Sequence, residues 1–193
     1  MNNIANFIFE LGQLKRVKRS GSWLMGVKDP ESVAEHTHRA TIIGRILAEL
    51  ENADINKVTT MLLLHDVPET RINDIHKVGA RYLDFKKAEK ESMKDQVERL
   101  PKNLAKEMQE LFLELEERKT KEAIIAKEAD YLEVAFQAKE YLEQVYKDAQ
   151  DWIDNVEKVL VTKSAKELMK QLKKTSYNDW WKGLEKIPKT IKE

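Results

Sequence analysis

The chain has no cysteine, so neither a disulfide framework nor a thiolate metal site is open to it. Any metal must be held by His, Asp, Glu and water. Glycine and proline supply only 6 and 4 of the 193 residues, and with 35% charged residues this favours long helices with solvated faces. Net charge is missing too: 34 basic and 34 acidic residues cancel, so no overall field draws in nucleic acid or a membrane surface. No run is apolar enough to span a bilayer. The opening Met1-Asn2-Asn3-Ile4-Ala5-Asn6 lacks the basic region and apolar core of a signal peptide. A cytoplasmic protein that binds neither nucleic acid nor membrane is the expectation. The length suits one domain with a sizeable core.

What is there is helical periodicity. Ile4, Phe7, Ile8, Leu11 and Leu14 mark a first helix over 4–17. The segment 18–28 holds two glycines, two serines and basic residues around Trp23. It reads either as a binding loop or as a plain connection with Trp23 in the core. Asp29-Pro30-Glu31-Ser32 opens a helix running to about Leu50, with Ser32 and Glu35 at capping-box spacing. Further helices are expected over 55–66, 82–100, around 104–115 and over 120–146. In a helical tail, Trp152, Ile153, Val156, Leu160 and Val161 are expected to pack one face. Leu168, Leu172, Trp180, Trp181 and Leu184 are expected to pack later turns. No segment alternates with period two, so the fold class is all-α.

Four polar residues fall on faces that are otherwise apolar. His36 shares a face with Ala40, Ile43, Leu47 and Leu50, whereas His38 points outward. His65 ends the stripe Val58, Met61, Leu62, and Asp66 follows it. Pro68 breaks the helix there, so Glu69 opens the next segment. Asp130 lies mid-face in the long helix. A buried carboxylate needs a cation, and a salt bridge to Lys127 or Arg39 competes with a metal for that role. An inward His taken alone usually reads as a hydrogen-bonded core residue, not a ligand. Two imidazoles and two carboxylates together would neutralise a divalent ion and leave room for water and a phosphate oxygen.

The order His36 … His65-Asp66 … Asp130 resembles the HD-domain superfamily of metal-dependent phosphohydrolases. Pro30-Glu31-Ser32-Val33-Ala34-Glu35-His36 and Leu64-His65-Asp66-Val67-Pro68-Glu69 are similar to the first-ligand and His-Asp-x-x-Glu segments of its 5'-deoxynucleotidase branch. The helix around Lys127-Glu128-Ala129-Asp130 resembles the one carrying the last ligand. The match spans roughly 1–145. The resemblance implies a single HD domain over 1–193, a helical bundle with a C-terminal helical extension over about 146–193. It implies one divalent cation (Mn, Co, Fe, Ni, Zn or Mg) on His36, His65, Asp66 and Asp130. It implies Glu69 and Asp74 as catalytic acids, Arg19 and Trp23 as substrate-binding residues, and a homodimer.

The leading functional expectation is hydrolysis of deoxynucleoside 5'-monophosphates to deoxynucleoside and phosphate. A second is an HD phosphohydrolase acting on a signalling nucleotide, a triphosphate or another phosphate ester. A third is a non-catalytic module whose metal merely staples helices. Structural sites tend to be closed, and Glu69 and Asp74 would then lack a purpose.

Overall fold

The computed structural model describes residues 1–184. The end of the expected tail, 185–193, lies outside the described residues. Nine α-helices are found among them: α1 Asn2–Leu11, α2 Val33–Leu50, α3 Ile55–Leu64, α4 Glu69–Ile72, α5 Phe85–Val97, α6 Lys102–Glu117, α7 Lys121–Gln144, α8 Ala149–Val159 and α9 Lys163–Lys174. There is no β-strand among the described residues, so the chain is all-α as its periodicity implies. No helix among them is long and apolar enough to cross a membrane.

The main core forms where α2, α3 and α7 meet, with α8 and α9 laid on α7. Gly44 permits the closest approach. A Cβ there would stand 2.1 Å from Leu62 Cδ1 and 3.3 Å from the Ala129 Cβ. A second cluster gathers Leu64, Val67, Met93, Val97, Leu100 and Phe112, joining the end of α3 to α5 and α6. Between them the turn 65–68 is held by α5: Gln96 Nε2 donates to the Val67 carbonyl (3.2 Å) and Ser92 Oγ to the Pro68 carbonyl (3.3 Å). Both carbonyls also accept backbone N–H groups of the following turn, from Thr70 and Arg71, so α5 adds a further bond to each and fixes the turn in place.

The capping box forms as its spacing implies. Glu35 N–H donates to Ser32 Oγ (3.3 Å) and Ser32 N–H to Glu35 Oε2 (2.6 Å). Helix α2 begins at Val33, so Pro30 precedes the cap instead of lying in the first turn. The first helix is shorter than expected. It gives way at Gly12 to a 3-10 turn, Gly12–Lys15, where a poor helix former lets Leu14 and Val17 reach Val33. Part of the tail also departs from expectation, because Leu160, Met169 and Leu172 are buried while Val161, Trp180, Trp181 and Leu184 are exposed. At Val161 the backbone is committed to a cap. Buried Glu128 accepts from the Val161 N–H, from the Thr162 N–H (2.9 Å) and from Thr162 Oγ1 (2.6 Å), which turns the valine outward. Trp181 sits in a short turn after α9, its indole donating to Asn178 Oδ1 at 3.2 Å. Leu50, placed on the inward face of α2 by its wheel position, is exposed in the last turn.

Candidate active site

Three helices bring the inward polar residues together. His36 projects from the first turns of α2, His65 caps α3, Asp66 follows it, and Asp130 lies in the middle of α7. His36 Nε2 lies 3.2 Å from Asp130 Oδ1, 3.7 Å from Asp66 Oδ2 and 3.4 Å from His65 Nε2. His65 Nε2 lies 3.2 Å from Asp66 Oδ2 and 3.9 Å from Asp130 Oδ1. Neighbouring donors about 2.1 Å from a shared ion stand about 3.0–3.4 Å apart; three of the five separations fall in that range, and His36, His65 and Asp66 form a group that could hold one cation, with Asp130 beside His36. His38 is exposed and outside the cluster.

Neighbouring groups orient both rings. His65 Nδ1 is 2.6 Å from the Leu62 carbonyl, and His36 Nδ1 is bonded to Glu133. With each Nδ1 engaged this way, each Nε2 faces the cluster, the orientation metal-binding imidazoles require once that nitrogen is unprotonated. Glu133 is itself clamped by Arg39, whose Nε donates to Oε1 at 2.8 Å. Burial and Arg19 oppose charge on His36, yet Glu133 and Asp130 outweigh them and its pKa is pushed up to about 9. Metal binding at this ring is therefore coupled to proton release. Burial lowers the pKa of His65. Burial works to raise Asp130, but Lys127 and His36 hold its carboxyl well below the usual range. The two partners weighed for Asp130 prove compatible. Oδ2 takes the Lys127 ammonium at 2.6 Å while Oδ1 faces the imidazoles, and Arg39 goes to Glu133 instead.

Glu133 was not singled out by sequence. The signal that could have found it is a matched pair of i, i+3 spacings: His36 and Arg39 on α2 face Asp130 and Glu133 on α7.

Beside the donors opens a cavity of about 490 Å³, bordered at this end by Arg19, Glu69, Asp74 and Lys127. Arg19 is aimed inward because its N–H donates to the Glu31 carbonyl (3.0 Å), pinning the loop start against the residues before α2. Its Nη1 reaches Asp74 Oδ1 at 3.3 Å and Asp66 Oδ2 at 3.5 Å. Burial works against its charge, but Asp66 and Asp74 more than offset this and raise its pKa. Asp74 also accepts the Ser20 N–H, so it ties the loop to the site. Glu69 opens α4 and is 4% exposed, and its Oε2 has no hydrogen-bond partner among the described residues. Burial, then the Asp66 charge, push its pKa well above the ordinary carboxylate range. Trp23 lies in the 3-10 turn Ser20–Met25 and points outward, 52% exposed. It belongs neither to the core nor to the cavity lining. The aromatic side chains on that lining are Tyr131, Tyr141 and, from the tail, Trp152.

The family model described as "HD domain" matches residues 11–173. The chain belongs to the HD-domain family. The match runs past residue 145 and takes in α8 and α9, which sequence reading alone left unmatched. Among curated HD-domain relatives, the 5'-deoxynucleotidase HDDC2 of Bos taurus is 33% identical over 156 residues, covering 79% of this chain and 76% of the relative. The human protein of the same name is 31% identical over 156 residues, with the same coverage. A conserved hypothetical protein from Pyrococcus furiosus superposes with a TM-score of 0.76 at 30% identity, covering 89% of this chain and 99% of that one. His36, His65 and Asp66 form a group that could hold a metal ion, and Asp130 Oδ1 lies 3.2 Å from His36 Nε2 beside it.

Proposed function

We propose that this HD-domain protein is a metal-dependent 5'-deoxynucleotidase that releases phosphate from deoxynucleoside 5'-monophosphates. The observation that carries the reading is a two-His, two-Asp donor set opening into a cavity of about 490 Å³, within the range of small-ligand sites. Similarity to curated 5'-deoxynucleotidases over most of the chain supports the choice of substrate class. His36, His65, Asp66 and Asp130 would hold a divalent ion, which would supply Lewis acidity for phosphate-ester hydrolysis and a water of lowered pKa.

The remaining steps fall to the chain's own residues. The Arg19 guanidinium, 3.5 Å from Asp66, is placed to take a second phosphoryl oxygen and to neutralise charge as the ester bond breaks. Asp74 holds that guanidinium and the Ser20 backbone, which makes it a positioning residue. Glu69, with Oε2 free of other bonds, is the carboxyl placed to give a proton to the leaving 5'-oxygen. A homodimer belongs to the same reading. Ile42, Ile46 and Leu50 form an exposed stripe along the outside of α2 that a second copy would cover. A monomer mass in light scattering would remove that part.

The deciding experiment strips the protein with chelator, restores single divalent metals, and measures phosphate release over ribo- and deoxynucleoside mono- and triphosphates. Metal-dependent release, with deoxynucleoside 5'-monophosphates preferred, is expected. Equal kcat/KM for a ribo and deoxy pair would remove the deoxy assignment. Turnover confined to triphosphates would remove the monophosphatase, and no turnover would leave a metal-stapled bundle.

A further inference from the structure

The cavity reaches beyond its polar residues, and part of its wall comes from the tail. Trp152, Asn155, Val156 and Val159 of α8 all line it. Their spacing is i, i+3, i+4, i+7, so they form one continuous face of the helix. Core packing accounts for only part of that face. Val156 is buried, but Val159 is 49% exposed and Asn155 is exposed. The Trp152 indole Nε1 sits 3.8 Å from where a Cβ on Gly21 would lie, so the edge of the indole packs against the loop that carries Arg19. The Asn155 carboxamide accepts from Lys158 Nζ at 3.3 Å and is otherwise unengaged among the described residues.

A surface with one aromatic ring, two branched apolar side chains and one amide whose NH2 is unengaged matches a flat ligand with apolar faces and a polar edge. Within the proposed substrate class, only the nucleobase has that chemistry. Deoxyribose is small and hydroxylated, and phosphate belongs with Arg19 and the donor cluster. We infer that this face of α8 is the nucleobase subsite, with Trp152, Val156 and Val159 against the base and Asn155 at its edge. The tail thus sets how strongly a base-bearing substrate is preferred over the bare sugar phosphate.

The inference rests on the 5'-nucleotidase reading, and the test separates the two. Metal-loaded full-length protein is assayed with deoxynucleoside 5'-monophosphates and with 2-deoxyribose 5-phosphate, which keeps the scissile ester but has no base. Phosphate release from neither substrate by the unaltered protein overturns the function and this inference with it. If both turn over, the ratio of kcat/KM between them is the readout. Trp152→Ala should lower that ratio about tenfold, the scale of one lost base–aromatic contact. Asn155→Ala should change the ranking among the four deoxynucleotides by a few fold. Val159→Lys alters a half-exposed position and keeps the test valid should Trp152→Ala fold poorly, and it too should lower the ratio. A ratio that stays at the unaltered value in both Trp152→Ala and Val159→Lys places the base elsewhere and overturns the inference. A parallel loss on both substrates would do the same, making Trp152 a support for the Arg19 loop.

Discussion

At the scale of single residues, the division of labour around the donor cluster can be measured. Glu133→Gln removes the charge that fixes the His36 tautomer while leaving the four donors in place. Metal affinity should fall about 10–100-fold, read by competition with a chelating dye. Glu69→Gln should keep the metal and lose about a hundredfold or more in kcat. Asp74→Asn should mainly raise KM, because it frees Arg19 without removing a proton donor. A large kcat loss in Asp74→Asn with little in Glu69→Gln would exchange the two roles. Glu89 offers a pH test. Burial, then the Glu116 charge, raise its pKa from the ordinary 4.5 to about 7. The folded state binds that proton more tightly than the unfolded state, so stability falls as pH rises between these values. Glu89→Gln should therefore melt at the parental temperature near pH 4.5 and above it at pH 8, both as apoprotein. The inward polar residues were legible because His36, His65 and Asp130 interrupt apolar stripes. Lys127 was legible as a partner for Asp130 three residues on. Glu133 was not, since a Glu on a charged helix reads as a solvated face until the partner helix is in view. Trp23 stood out beside basic residues, but nothing in one sequence says that the α8 aromatic, Trp152, is the one that turns to the cavity.

At the scale of elements, α2, α3 and α7 must approach closely for the donors to converge, and Gly44 sets that distance. Gly44→Ala would drive a methyl into Leu62 and Ala129, costing about 1–3 kcal/mol as overpacking does. A helix-interior Gly→Ala exchange ordinarily gains stability, so the sign of the change in urea midpoint tests the packing directly. Metal affinity should fall with it, because His36 lies two turns before Gly44 on the same helix. The positions of the long helices were legible from their period. Their ends were blurred where a tertiary contact decided them. Gly12 yields to Leu14 packing on Val33, and the valine at 161 gives up burial so that Glu128 can cap α9. The turn after His65 was announced by Pro68, but its anchoring by Gln96 and Ser92 required α5 to be folded over it.

At the scale of the molecule, the donor set ties together segments that are far apart in the chain, so a bound ion acts as a clamp on the three-helix core. Free metal at a hundred times its Kd should stabilise the fold by about 2.7 kcal/mol. Chelation should lower the melting temperature, and Asp130→Ala should abolish that difference while His38→Ala retains it. If chelator leaves the melt of the metal-loaded protein unmoved, the clamp does not exist. The architecture also has a bearing on how the protein is made. His36, His65 and Asp66 leave the ribosome well before Asp130, and neither α7 nor the wall it provides for the other three exists until then. A nascent chain lacking α7 has most of the chelating groups but no cleft to hold them. Metal capture thus belongs to the closing stage of synthesis, and a ribosome stalled before residue 130 should display a chain that neither binds the ion nor resists protease.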